Sequence, residues 1–195
     1  AIAAAGRRVD ILVNNAGYGQ PGHFEEVGWA THQDFIALMA TSYAHLAHLF
    51  LPGMQARGYG RIINVASVAG LVPGAAGHTL YGAVKAFLVS FSQSLAAENI
   101  GKGVTVSALC PGFTYSEFHD VNDTRRLVSA LPRTMFMEAR PVAEQALDAV
   151  ERGHVVFVPG LWNKVVVWLM KALPRPWGAA MVLQQSQKFR LRIKD

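Results

Sequence analysis

With 195 residues, 51% of them hydrophobic and 16% charged, the chain can bury one sizeable core and is too short for two comfortable domains. Low-complexity tracts, long charge runs and repeats at solenoid or propeller spacing are absent, which excludes disordered and repeat architectures. The net charge of +5 comes from scattered basic residues that cluster only at Lys188, Arg190, Arg192 and Lys194; no basic stripe is interleaved with aromatics, so no nucleic-acid partner is expected and the tail reads as a solvated end.

In chain order, Ala1 to Ala5 is short and apolar, with no initiating Met and no charged segment before it, unlike a signal peptide. It reads as the end of a helix closed by Gly6, Arg7 and Arg8, so the sequence is expected to begin inside a domain. Val9 to Asn14 (VDILVN) is a continuous apolar run bounded by turn residues, as a buried parallel strand requires. After a loop rich in Gly and Pro, Trp29 to Met54 carries helix-spaced apolar residues, and Gly58 and Gly60 end that stretch. Strands follow at Arg61 to Ala66 and Val104 to Leu109, with a helix from Leu80 to Asn99 between them. A further helix fits Pro141 to Glu151, with proline in its first turn, and Gly153 leads into a strand at His154 to Val158.

Strands alternating with helices of this length make right-handed βαβ units and an α/β doubly wound parallel sheet covered on both faces. Ligands of such sheets bind beyond the carboxyl ends of the strands. That rule selects Asn14 to Gly17, Ala66 to Gly70 and Cys110 to Ser116.

Tyr81 and Lys85 are four residues apart on the helix expected between those strands, so their side chains share a face. A phenol with a reference pKa of about 10 exchanges protons poorly at neutral pH, and a nearby ammonium is expected to lower that pKa. Ser67, just after a strand, can donate a hydrogen bond to a carbonyl oxygen that gains charge as hydride arrives at carbon. The three suit reversible carbonyl reduction: serine holds the oxygen, tyrosine supplies the proton and lysine tunes the tyrosine. Among five tyrosines and eighteen basic residues a Tyr-x-x-x-Lys match alone is bland. The order lifts it: strand then Asn-Asn-Ala-Gly, strand then serine, helix with Tyr-x-x-x-Lys, strand then Pro-Gly.

DILVNNAG (Asp10 to Gly17), GRIINVAS (Gly60 to Ser67), YGAVK (Tyr81 to Lys85) and CPGFTYS (Cys110 to Ser116) together resemble the short-chain dehydrogenase/reductase family, over about Val9 to Val158. The resemblance implies a Rossmann-type fold, an NAD or NADP cofactor, and Ser67, Tyr81 and Lys85 as catalytic residues. It places Asn15, Ala16, Gly17, Pro111 and Gly112 along the cofactor, with Tyr81 and Lys85 also at the nicotinamide ribose and Ser116 where the family usually has a threonine at the carboxamide. It further implies a homo-oligomer, usually built through the two long helices.

Two departures from the family pattern stand out. Its glycine-rich phosphate loop and first three strands have no counterpart, so the chain is expected to be a fragment of a longer enzyme that binds dinucleotide poorly by itself. Without those strands VDILVN becomes an exposed apolar edge. Residues 1–160 are thus expected to form the C-terminal part of the dinucleotide-binding domain, and 161–195 an apolar helical extension of it. The asparagine that many relatives use in a proton relay is also missing: counting from Pro52 puts Met39 there, counting from Asp34 about Ser42.

Other candidates are blander. His45 and His48 share a helix face but have no acidic or cysteine partner at ligand spacing, so no metal is expected. Ser67 lacks the G-x-S-x-G elbow of a hydrolase, since Val65 stands at the first glycine. Cys110, the single cysteine, reads as a small buried hydrophobe and is compatible with a reducing compartment, by default the cytoplasm. Phe113 to Arg140 is strongly apolar through Phe113, Tyr115, Phe118, Leu127, Leu131, Met135, Phe136 and Met137, and suggests either a hydrophobic ketone or alcohol as substrate or ordinary packing of a lid. Leu161 to Leu173 is too short to span a bilayer; capping the pocket or forming a subunit interface is preferred over lying on a membrane surface. The reading as a whole is an oxidoreductase, with a non-catalytic dinucleotide-binding or scaffold protein, or an inactive fragment, as its rivals.

Overall fold

The computed structural model describes residues 6–20, 22–115, 135–174, 176–182 and 184. In chain order, β1 (Ile11–Asn14) leads through a loop to α1 (Trp29–Ile36), a π-helical turn (Ala37–Thr41) and α2 (Ser42–Arg57). Then come β2 (Gly60–Val65), α3 (Thr79–Glu98), β3 (Val104–Leu109), the two-residue strands β4 (Thr114–Tyr115) and β5 (Met137–Glu138), α4 (Ala139–Glu151), β6 (Val156–Phe157) and α5 (Leu161–Ala172). The main sheet is parallel throughout, in the order β1-β2-β3-β6.

The side-chain alternation of the strands explains the layering. Leu12, Ile62 and Val106 point to one face and pack on Ala47 and Met54 of α2 and on Phe91 and Leu95 of α3. Ile63 and Leu109 point to the other and meet Val142, Ala146 and Val150 of α4. Helices on both faces of β2 and β3 make the doubly wound α/β arrangement that the sequence pattern implies. The strand β1 differs: among the described residues it pairs only with β2, and Ile11 and Val13 are 43% and 51% exposed.

Among the described residues the expected strands and helices form, with ends shifted by a few residues; the helix end expected at Ala1 to Ala5 and the extension beyond residue 184 lie outside the described residues. Gly58 closes α2 in the left-handed conformation (φ 64°), while Gly60 already belongs to β2. The span Trp29–Arg57 is long and apolar enough to cross a membrane, yet its Phe35, Met39, Tyr43, Ala47 and Met54 are fully buried in this core. Two features escape the sequence pattern. The long helix is not uniformly α but widens at Ala37–Thr41, and the β4–β5 pair is too short to carry a period.

Candidate active site

The carboxyl ends of β1, β2 and β3 converge on one crevice. Under it runs a buried polar ladder. The Asn14 side-chain amide donates to Asn64 Oδ1 at 2.8 Å and to the Tyr43 carbonyl at 3.3 Å, and Asn64 donates to Ser92 Oγ at 2.9 Å. Asn14 and Asn64 are register partners on adjacent strands, so the ladder ties β1 and β2 to α3 directly below the site. Buried amides cost free energy unless they are paired, and this pairing is specific to one strand register.

Ser67 follows β2 and starts a short 3-10 turn, Val68–Gly70. Its hydroxyl oxygen accepts from the Ala69 N–H at 3.1 Å and reaches the Pro111 carbonyl at 3.5 Å. Gly70 lets this turn press against α3: a Cβ there would sit 2.5 Å from the backbone carbon of Lys85. That close approach brings Ser67 beside Tyr81, whose pKa its side chain lowers. Lys85, one turn further along α3, is 4% exposed. Its ammonium donates to the Val65 carbonyl at 2.7 Å and lies 5.6 Å from the centre of the Tyr81 ring.

The electrostatics differ from the sequence expectation. Burial raises the Tyr81 pKa, and the Ser67 side chain, not Lys85, is what opposes the rise. The expected lowering by lysine is therefore overturned, because desolvation of the phenolate outweighs an ammonium already engaged by a backbone carbonyl. Lys85 is itself brought down to about 8, first by burial, with the nearby Cys110 thiol pulling it back up. Burial likewise pushes the Cys110 thiol up to about 12, making it an inert packed group, as its position suggested.

The Asn15, Ala16 and Gly17 segment leaves β1 exposed at the mouth of the crevice. It is held from below by Tyr43, whose hydroxyl donates to the Ala16 carbonyl at 2.9 Å, and a Cβ on Gly17 would touch the Met39 side chain at 3.1 Å. Burial and the neighbouring Tyr81 both raise the Tyr43 pKa, so its proton stays on this bond. Met39 is fully buried and is a core residue; Ser42 donates its hydroxyl to the Leu38 carbonyl and is spent within its own helix.

Pro111 and Gly112 follow β3, and the face of Gly112 is taken by Asn163 of α5: an added Cβ would meet Asn163 Oδ1 at 2.2 Å. Asn163 is anchored in turn by donating to the Pro159 carbonyl at 2.9 Å. On the outer side, Phe136 stacks on Tyr115 at 4.7 Å and lies 5.5 Å from Phe113, an aromatic wall that the β4–β5 pair assembles. Ser116, Phe118, Leu127 and Leu131 lie outside the described residues. Among the described residues no three His, Cys, Asp or Glu side chains group as metal ligands.

Three contributors were missed by sequence reasoning: Tyr43, Asn163 and His78, whose ring stands edge-on to Tyr81 at 6.5 Å. Only Tyr43 left a trace, one helical turn beyond Met39 on the same face.

A profile of short chain dehydrogenases matches residues 1–126. The chain belongs to the short-chain dehydrogenase family. It is 46% identical over 105 residues to nodulation protein G of Azospirillum brasilense, a match covering 54% of this chain and 42% of that protein. Among solved structures, a short-chain dehydrogenase from Sphingobium yanoikuyae in complex with NADPH superposes with a TM-score of 0.70 at 31% identity, over 85% of this chain and 66% of that one. A bulky-bulky ketone specific alcohol dehydrogenase from Comamonas testosteroni gives 0.64 at 30%, over 85% and 64%. The family's Rossmann-type α/β fold is thus the fold of this chain, which spans about half the length of the curated relatives it matches.

Proposed function

We propose that the protein is an oxidoreductase that moves a hydride between NAD(H) or NADP(H) and a hydrophobic ketone or secondary alcohol, with Tyr81 as the general acid and base. The observation that carries this reading is the gathering of Ser67, Tyr81 and Lys85 at the strand ends, with Ser67 held to the Pro111 carbonyl and the Lys85 ammonium 5.6 Å from the Tyr81 ring.

The residues present fit the nicotinamide half of a dinucleotide. Lys85 commits one hydrogen bond to Val65, which leaves capacity for ribose hydroxyls, and the exposed Asn15–Gly17 backbone and Pro111–Gly112 border the same crevice. Ser116 is proposed beside them at the carboxamide. When bound, the nicotinamide supplies or accepts the hydride. Everything else falls to the chain. Ser67 donates to the substrate oxygen as charge develops there. Tyr81, kept protonated at neutral pH by its buried setting, delivers the proton in reduction and recovers it in oxidation. Lys85, beside the Tyr81 ring, would hold the nicotinamide ribose.

The aromatic wall of Phe113, Tyr115 and Phe136 supports a bulky apolar substrate, in keeping with the ketone class in the name of the Comamonas neighbour. Exposed Leu46, Leu49 and Phe87 on α2 and α3 support a homo-oligomer through those helices. The lone buried thiol of Cys110 supports a cytoplasmic setting.

The test is turnover of NADPH and NADH with bulky aryl or alicyclic ketones by the full-length protein and its Tyr81→Phe variant. Loss of general acid catalysis is expected to lower kcat by roughly 100-fold or more with cofactor affinity nearly unchanged. Cofactor binding without turnover of any ketone would favour a non-catalytic dinucleotide-binding protein. Turnover confined to small polar ketones would refute the hydrophobic substrate.

A further inference from the structure

The helix α5 is amphipathic in an unusual sense: its narrow side docks and its broad apolar side does not. Asn163 and Val167 are the buried positions, and Asn163 is pinned to Pro159 and Gly112. Leu161, Val165 and Trp168 recur at helical spacing on the opposite side, flanked by Trp162 and Leu169. Leu161 is 79% exposed, Trp162 53% and Trp168 67%. The next helical segment, 176–182, adds exposed Trp177 and Met181. Exposed tryptophans in such density are costly in water and favoured at a membrane boundary, where the ring is buried and its N–H stays hydrated.

Charge identifies the occupant. Lys164 and Lys171 sit together along one edge of the apolar face, both exposed. Between residues 152 and 194 the sequence has eight lysines and arginines and no aspartate or glutamate. A second copy of this face would bring lysine edges together with no carboxylate in the segment to pair them. An anionic bilayer supplies the opposite charge and the apolar depth together.

We propose that α5 and the helical segment 176–182 form a monotopic contact with anionic lipid, with Leu161, Trp162, Val165, Trp168 and Leu169 entering the acyl boundary and Lys164 and Lys171 meeting the headgroups. The lipid contact stands on surface chemistry alone and does not depend on the reaction proposed above.

Flotation with phosphatidylcholine vesicles, with and without about one-third phosphatidylglycerol, tests it on the full-length protein. The expected result is binding at least ~10-fold stronger to the anionic vesicles, weakened by salt, with a blue shift of tryptophan emission. The double variant Trp168→Glu/Leu169→Glu, unchanged in circular dichroism and in cofactor binding, is expected to lose ~10-fold or more of that binding. Three results overturn the proposal: no binding to anionic vesicles at low salt, equal binding by the double variant, or a vesicle-free oligomer that the double variant dissociates. If the double variant fails to fold, the single variant Leu161→Gln, at the most exposed position, replaces it with the same two readings.

Discussion

Strands β1 and β3 read alike in sequence, both short and mostly aliphatic with polar residues set among them, in one parallel sheet, and the fold treats them in opposite ways. Every residue of β3 but Thr105 is buried, because α3 covers one face and α4 the other. In β1 only Leu12 and Asn14 are buried, while Ile11 and Val13 face outward at a sheet edge. Apolar composition thus records that a strand is meant to be covered; it does not say what covers it. The site inherits this difference. Ser67 and Pro111 leave strands clamped on both faces, whereas Asn15 to Gly17 leave β1 and rely on the Asn14 ladder and the Tyr43 hydroxyl below them.

The comparison can be broken by cutting the same kind of side chain in each region. Ile62→Ala, at a fully buried central position, is expected to cost about 2–5 kcal/mol in denaturant unfolding. Val13→Thr in this 195-residue chain is expected to stay within about 0.5 kcal/mol. A cost of about 1–3 kcal/mol for Val13→Thr in a chain extended upstream with the first strands of a relative, against little here, would mean that such strands cover the outer face of β1.

A second contrast, of intermediate size, concerns Lys85, the charged group inside the well-covered region. Its folded pKa of about 8 lies below the ordinary 10.5, so between these values this lysine holds more proton in the unfolded chain than in the folded one. Its own contribution to stability is therefore expected to rise as pH increases from about 8 to 10.5, by on the order of 1–3 kcal/mol, against the opposite trend set by the raised Cys110, Tyr43 and Tyr81. Urea unfolding of the unmodified chain and of Lys85→Met across this range, in the absence of nucleotide, is the measurement; a stability difference between the two that does not change with pH contradicts the buried cation.

The smallest effect sharpens the comparison at the weakly covered end. Tyr43→Phe keeps the ring and removes only the bond to the Ala16 carbonyl, worth about 0.5–1.5 kcal/mol. It is expected to weaken cofactor binding by a few-fold to roughly 10-fold while leaving kcat nearly unchanged. A drop in kcat at unchanged cofactor affinity would instead place Tyr43 in proton transfer alongside Tyr81.

Much of the fold was legible because buried parallel strands and the helices between them announce themselves locally, through apolar runs and 3.6-residue spacing. The order of motifs likewise singles out Ser67, Tyr81 and Lys85, which the fold brings close together at the strand ends. What stayed hidden was set by contacts distant in sequence. The π-helical widening at Ala37–Thr41 leaves no mark in residue type. Asn163 had no signal at all, yet it decides why residue 112 is glycine. The direction of the Tyr81 shift was misread because spacing shows that a lysine is near and cannot show how completely the phenol is desolvated.

By itself, then, the sequence determined the alternation of strands and helices, the family, and the residue types gathered at the strand ends, all of which depend on local pattern. Only the tertiary structure decided which apolar surfaces are covered, which glycines make room for a neighbour, and which way buried groups titrate. Those properties depend on what packs against each residue, and the packing partners lie tens of residues away along the chain.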